Sequence, residues 1–145
     1  MKERKYFFPI IAFIIVQLLS CGVQRGNVVI SKPDVYRGTF EAKEEIVLRA
    51  VAGIFKDKQM GRNVTINRKK RTVKTDYLVR GDWRTKSTAQ VKKLNWKECE
   101  VVFLIVTEKK TETGWEMRRL LEKEQYSTLF DAIELRIYEE MAKIE

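Results

Sequence analysis

Trp96-Lys97-Glu98-Cys99-Glu100-Val101-Val102-Phe103-Leu104-Ile105-Val106-Thr107 is the stretch whose reading decides the fold. Successive side chains of a strand point to opposite faces. Cys99, Val101, Phe103 and Ile105 therefore share one face, and Val102, Leu104 and Val106 the other. A strand apolar on both faces belongs inside a sheet. This segment is expected to be central, partly covered on each side, with Phe103 fully buried.

Working backwards, Thr72–Trp83 alternates: Val73, Thr75, Tyr77, Val79 and Trp83 against Lys74, Asp76, Arg80 and Asp82. That is an antiparallel strand with one wet face, and Gly81 within it suggests a bulge. Between the two segments, Arg84–Asn95 is polar and leaves loop and strand both open. Val35–Phe40 and Arg62–Asn67 read as short strands, and Asn67–Arg71 as a basic hairpin tip. Downstream, Glu108–Thr113 reads as a turn, and Gly114–Leu121 alternates again, with Trp115 and Met117 against Glu116 and Arg118.

Two segments carry the helical period. In Glu41–Lys58, residues Ile46, Val47, Ala50, Val51, Ile54 and Phe55 form one stripe. Glutamates lie in its first turns and lysines in its last, as the helix dipole prefers. Gly53 inside it costs ~1 kcal/mol against Ala, which close packing on the sheet would justify. The second helix spans residues 123–144, with Tyr126, Leu129, Phe130, Ile133, Ile137, Tyr138, Met141 and Ile144 along one side. The element order implies an α+β domain over residues 35–145, an antiparallel sheet of about four to five strands with two helices packed on one face.

The N-terminus carries a different signal. Lys2, Arg4 and Lys5 precede an apolar run, Tyr6–Leu19, broken only by Gln17. As a helix that run reaches about 21 Å, short of a ~30 Å hydrocarbon core. Its length suits the apolar region of a signal peptide. It ends in Leu18-Leu19-Ser20-Cys21-Gly22. This resembles the lipobox of bacterial lipoproteins, in the relaxed spirochaete-like form that admits Leu19 before the small residue. The resemblance implies a signal peptide over residues 1–20, cleavage between Ser20 and Cys21, and thioether-linked lipid on Cys21, usually with acylation of the new amine. Two or more acyl chains attach a protein stably where one does not. Residues 21–34 then form the lipidated cysteine and a tether, in which Val28-Val29-Ile30 reads equally as a short strand. The alternative is an ordinary secretory signal with Cys21 there by coincidence. Gly22 after the cysteine, in place of an aspartate, points to the outer membrane, with periplasmic and surface faces both open.

The chain has no histidine, two cysteines and a net charge of +9. Lacking histidine, it lacks the commonest general base and metal ligand. No phosphate-binding loop or dinucleotide turn stands in its place. The expectation is a non-enzymatic protein without cofactor or metal. With Cys21 lipidated, Cys99 has no disulfide partner in the chain, and its apolar surroundings favour a buried thiol.

The order of elements also resembles small envelope-assembly lipoproteins, of the lipopolysaccharide-assembly and helix-grip types. Phe40-Glu41 before the first helix and Thr75-Asp76 in the hairpin echo the second group. That resemblance implies a binding or accessory subunit for an envelope protein partner. A surface-exposed lipoprotein meeting host or environmental molecules, or a small lipid- or ligand-binding domain, are the alternatives. Nucleic acid is an improbable partner for an exported, lipid-anchored chain.

Within the domain, Arg68, Lys69, Lys70 and Arg71 are the densest charge. If Lys92-Lys93 and Lys109-Lys110 gather at the same end, the domain gains a contact for anionic lipid. Charged hairpin ends that keep sheet edges soluble are the plainer explanation. Trp83, Trp96 and Trp115 sit near strand ends and suggest cross-strand or core packing before a shared groove. Glu98 and Glu100 suggest a solvated face before an acid–base pair.

Overall fold

The structure is a computed structural model that describes residues 26–119 and 121–144. The leader, Ser20 and Cys21 lie outside the described residues. The elements are β1 (Val28–Val29), β2 (Val35–Glu41), α1 (Glu44–Asp57), β3 (Arg62–Asn67), β4 (Thr72–Asp76), β5 (Leu78–Arg80), β6 (Trp83–Lys93), β7 (Glu98–Thr111), β8 (Gly114–Arg119) and α2 (Lys123–Ala142).

All pairings are antiparallel, and the sheet holds eight strands among the described residues, not four to five. The difference comes from two long strands. β7 pairs along one edge with β6 from Cys99 to Lys109. Its other edge is shared, β2 taking Glu98–Leu104 and β8 taking Glu108–Thr111. β6 likewise shares its outer edge between β4 and β5. Short strands laid end to end raise the number of strands without widening the sheet to match.

One row shows how the core is built. Ile66, Val73, Ala89, Phe103 and Tyr36 stand opposite one another across β3, β4, β6, β7 and β2. Val73, Ala89 and Phe103 are fully buried. Phe103 meets Phe55 of α1 and Phe130 of α2, with centroids 5.8 and 5.3 Å away. Both helices thus lie on the same face. The expected α1 stripe is buried throughout, and Leu48 and Ala52 are buried with it because α2 closes over α1. Gly53 serves this helix pair and not the sheet: a Cβ there would lie 3.0 Å from Nε of Arg136 on α2.

The segment Thr72–Trp83 departs from simple alternation. Lys74 opposes Thr88 and Leu78 opposes Thr85, so three residues face two. This bulge falls at Thr75–Tyr77. Gly81 (φ +59°) instead makes the turn between β5 and β6. Thr75 Oγ1 accepts the Ser87 backbone N–H at 2.9 Å where the ladder is interrupted. The slip moves Tyr77 and Val79 onto the face away from the helices. Arg84–Lys93 is strand, and β7 runs on through the expected turn to Thr111.

Candidate functional site

The sheet face away from the two helices is left uncovered by the described elements. Arg37, Val102, Gln90 and Thr72 lie across it in one row. Val35 and Val79 on this face are 52% and 57% exposed. Glu100 is held there by Arg37 at 3.2 Å and Lys92 at 3.9 Å.

Towards the β5–β8 end this face carries a clamp. The Arg84 guanidinium carbon lies 4.2 Å from the Tyr77 ring centroid and 4.3 Å from that of Trp115. Its Nε donates to Glu108 at 2.6 Å. Lys86 Nζ sits 4.6 Å from the Tyr77 centroid. Burial pushes the Glu108 carboxyl up, but hydrogen bonds from Arg84 and Tyr77 and the Arg84 charge bring it below its ordinary value. Burial, then Glu108, raise the Tyr77 hydroxyl. A guanidinium between two rings, with its charge met by a carboxylate, is a rigid amphipathic platform. Among its members, the Tyr77 and Trp115 rings present apolar faces and Arg84 and Lys86 the charge.

The basic tip joins one of its expected companions and not the other. Arg68 pairs with Glu45 and Arg71 with Glu44, each at 3.0 Å, at the start of α1. Lys69 and Lys70 are exposed. The Val91 N–H donates to the Arg71 carbonyl, and Gln90 Nε2 to the Lys70 carbonyl, which sets the tip beside Lys92-Lys93. Lys109 stands opposite Trp83, and the Lys110 N–H donates to Asp82, at the other end of β6. Lys93 lies ten residue steps along β6 from Trp83, about 33 Å at ~3.3 Å per residue. The tip and the two lysine pairs therefore do not all gather at one end, because β6 and β7 are too long.

The helix-covered face is open beyond the core. A groove of about 530 Å³ runs between β6, β7 and the start of α2, lined by Met60, Ser87, Ile105, Leu121 and Leu129 among others. A shallower continuation of about 240 Å³ passes Leu78, Arg80 and Trp83, sharing Gln59 and Thr85 with it.

The tryptophans are dispersed. Trp83 lies under Gly26 on the helix side, Trp115 covers Arg84 on the opposite face, and Trp96 is 75% exposed in the turn before β7. They share no groove and none is in the buried core, but Trp83 meets Lys109 across the strands, its centroid 5.5 Å from the Lys109 Nζ, as expected of a cross-strand residue. Glu98 accepts from Asn95, and Glu100 is ion-paired as above. Cys99 is buried and free, its thiol 3.4 Å from the Ala42 carbonyl and pushed up by burial. Phe40 is in the core, Glu41 is exposed, and Thr75 and Asp76 engage Ser87 and Asn63. Sequence reading missed the Arg84 clamp; its aromatic jaws lie seven and thirty-one positions from Arg84.

Among the described residues no group of three or more acidic or cysteine side chains is placed to hold a metal. Among the same residues, no helix is long and apolar enough to cross a membrane. No protein-family model and no curated protein matches this chain.

Proposed function

We propose that this chain is a non-enzymatic lipoprotein of the outer membrane, held by lipid on Cys21, whose α+β domain is a binding or accessory subunit for another envelope protein. The leader ending in Ser20-Cys21 supports the anchor. The observation that carries the binding role is the uncovered sheet face, where exposed Val35 and Val79 and the rigid Arg84 platform lie beside unburied cations. Tyrosine, tryptophan and arginine, the residues of that platform, are the ones enriched at the energetic centre of protein interfaces. Photo-crosslinking in intact cells tests it. A reactive residue at Val79 or Val35 should trap one defined envelope protein, and the same residue at exposed Leu135 on α2 should not. Equal, diffuse crosslinking from all three positions would refute a dedicated face.

A second reading, a lipid- or ligand-binding domain, is favoured by the groove lined by Met60, Ile105, Leu121 and Leu129. Its volume is within the range of small-molecule sites. Native mass spectrometry of the protein taken from its own membrane separates the two: a stoichiometric small molecule supports the groove, and a bare chain supports the sheet face.

A further inference from the structure

We propose that the domain rests on its own membrane through the sheet end that carries Trp83 and Trp115, with the basic tip Arg68–Arg71 pointing away from the lipid. This orientation rests on lipidation of Cys21.

The chain enters the described fold at Gly26, which is buried and has φ +83°. Gly26 lies against Trp83 so closely that a Cβ would sit 2.6 Å from the indole Cη2. The next residues are pinned. Arg118 donates to the Asn27 carbonyl at 3.1 Å, Val28 and Val29 pair with Arg119 and Arg118, and the Ile30 N–H donates to Met117 at 3.1 Å. Only residues 22–25 separate Gly26 from Cys21, a span of at most about 18 Å even when fully extended. The basic tip stands beside Lys93, about 33 Å along β6 from Trp83 at ~3.3 Å per residue. An anchor of that reach brings the Trp83 end to the headgroups first.

The chemistry of that end agrees. Trp83 opposes Lys109 and Trp115 opposes Lys110. Tryptophan and lysine are among the residues that anchor at the headgroup level of a bilayer. Asp82, Glu112 and Glu116 lie among them, so the local charge is nearly balanced. The contact is therefore set chiefly by the reach of the anchor, with the half-buried indoles of Trp83 and Trp115 at its margin, and varies little with salt, unlike one made by the basic tip.

The test uses the full lipidated chain in phosphatidylethanolamine–phosphatidylglycerol vesicles whose acyl chains are brominated near the headgroup. Two variants, Glu112→Cys and Lys69→Cys, each carry a fluorescent label. Cys99 is buried and the Cys21 thiol is occupied by lipid. The label at 112 should lose most of its emission, at low and high salt alike, while the label at 69 keeps its own. Quenching at 69 alone, at both positions or at neither overturns the orientation. Intrinsic emission gives a second measure without the labels: Trp96→Phe should raise the quenched fraction, since it removes only the distant, unquenched indole, and a fall in that fraction would contradict the orientation. Failure of the unsubstituted protein to float with vesicles overturns the anchor itself, and the orientation with it. Flotation with quenching at 69 overturns the orientation alone.

Discussion

Phe103 of β7 stands directly opposite Ala89 of β6, and its ring meets those of Phe55 and Phe130 from the two helices. One phenylalanine thus joins the central ladder to both helices. Phe103→Ala should cost about 3–5 kcal/mol, a large share of the stability of a domain this size. Urea melts of the full chain would measure it, and a loss under about 1 kcal/mol would be incompatible with this packing.

The bulge at Thr75 has its own signature. A Cβ on Gly61 would lie 1.8 Å from Thr75 Oγ1, and the Thr75 hydroxyl is what takes the Ser87 N–H. Gly61→Ala should destabilise by at least ~1–3 kcal/mol through overpacking. Thr75→Val should cost about as much, by leaving a buried N–H without an acceptor. Because the two residues share one contact, the double variant should fall short of the sum of the single ones. Additive losses would show that the residues act separately.

Acid should loosen the fold through three carboxyls held by ion pairs. Hydrogen bonds from Arg119 to Asp34 and from Lys143 to Glu140 hold both carboxyls below their ordinary values of 3.8 and 4.5, and Arg84 does the same for Glu108 against its burial. A carboxyl depressed in the folded state contributes stability above its unfolded pKa and loses it as pH falls through the folded one. Stability should be flat from neutrality to about pH 5 and decline below about pH 4. Glu140 lies among Arg49, Arg136 and Lys143 at the junction of α1 and α2. Glu140→Gln should lower the neutral plateau and make the acid decline shallower. A variant profile parallel to that of the wild type would remove Glu140 from this account.

The legible part of the fold was the part with strong periodicity. The two faces of β7 and the α1 stripe were read from spacing, and Phe103 is buried as expected. β6 was not legible as strand, because one face is wet and the other needs small residues. Ser87 and Ala89 fit beneath Thr75, Met60 and Phe103, and so carry little hydrophobic signal. The bulge at Thr75–Tyr77 has no glycine to mark it, so simple alternation puts Tyr77 and Val79 on the wrong face. The Arg84 clamp depends on that slip and on β8 meeting β7, neither of which a local pattern contains. The basic tip was legible as a tip, but its separation from Lys109-Lys110 depends on strand length, which the polar reading of Arg84–Asn95 concealed.

The tip itself should be nearly silent in stability. Its two ion pairs are exposed, with the Arg68 side chain 67% and that of Arg71 51% accessible. Exposed pairs contribute about 0–1 kcal/mol each. Replacing Arg68, Lys69, Lys70 and Arg71 together by alanine should shift the urea midpoint only slightly. Proteoliposomes bearing the wild type should capture a second population of anionic vesicles at low salt and release it as salt rises. The fourfold variant should capture none. Equal capture by both would leave the tip as a device that keeps the hairpin soluble.

The central claim is the anchor at Cys21, and intact-mass analysis of the protein isolated from its own membrane tests it most directly. The account predicts a mature chain that begins at Cys21, carries the mass of covalently attached acyl chains on that residue and partitions into detergent. Cys21→Ala should remain an uncleaved, unlipidated precursor. A mature chain that begins elsewhere, or a Cys21→Ala variant with the mass and membrane behaviour of the wild type, would contradict it.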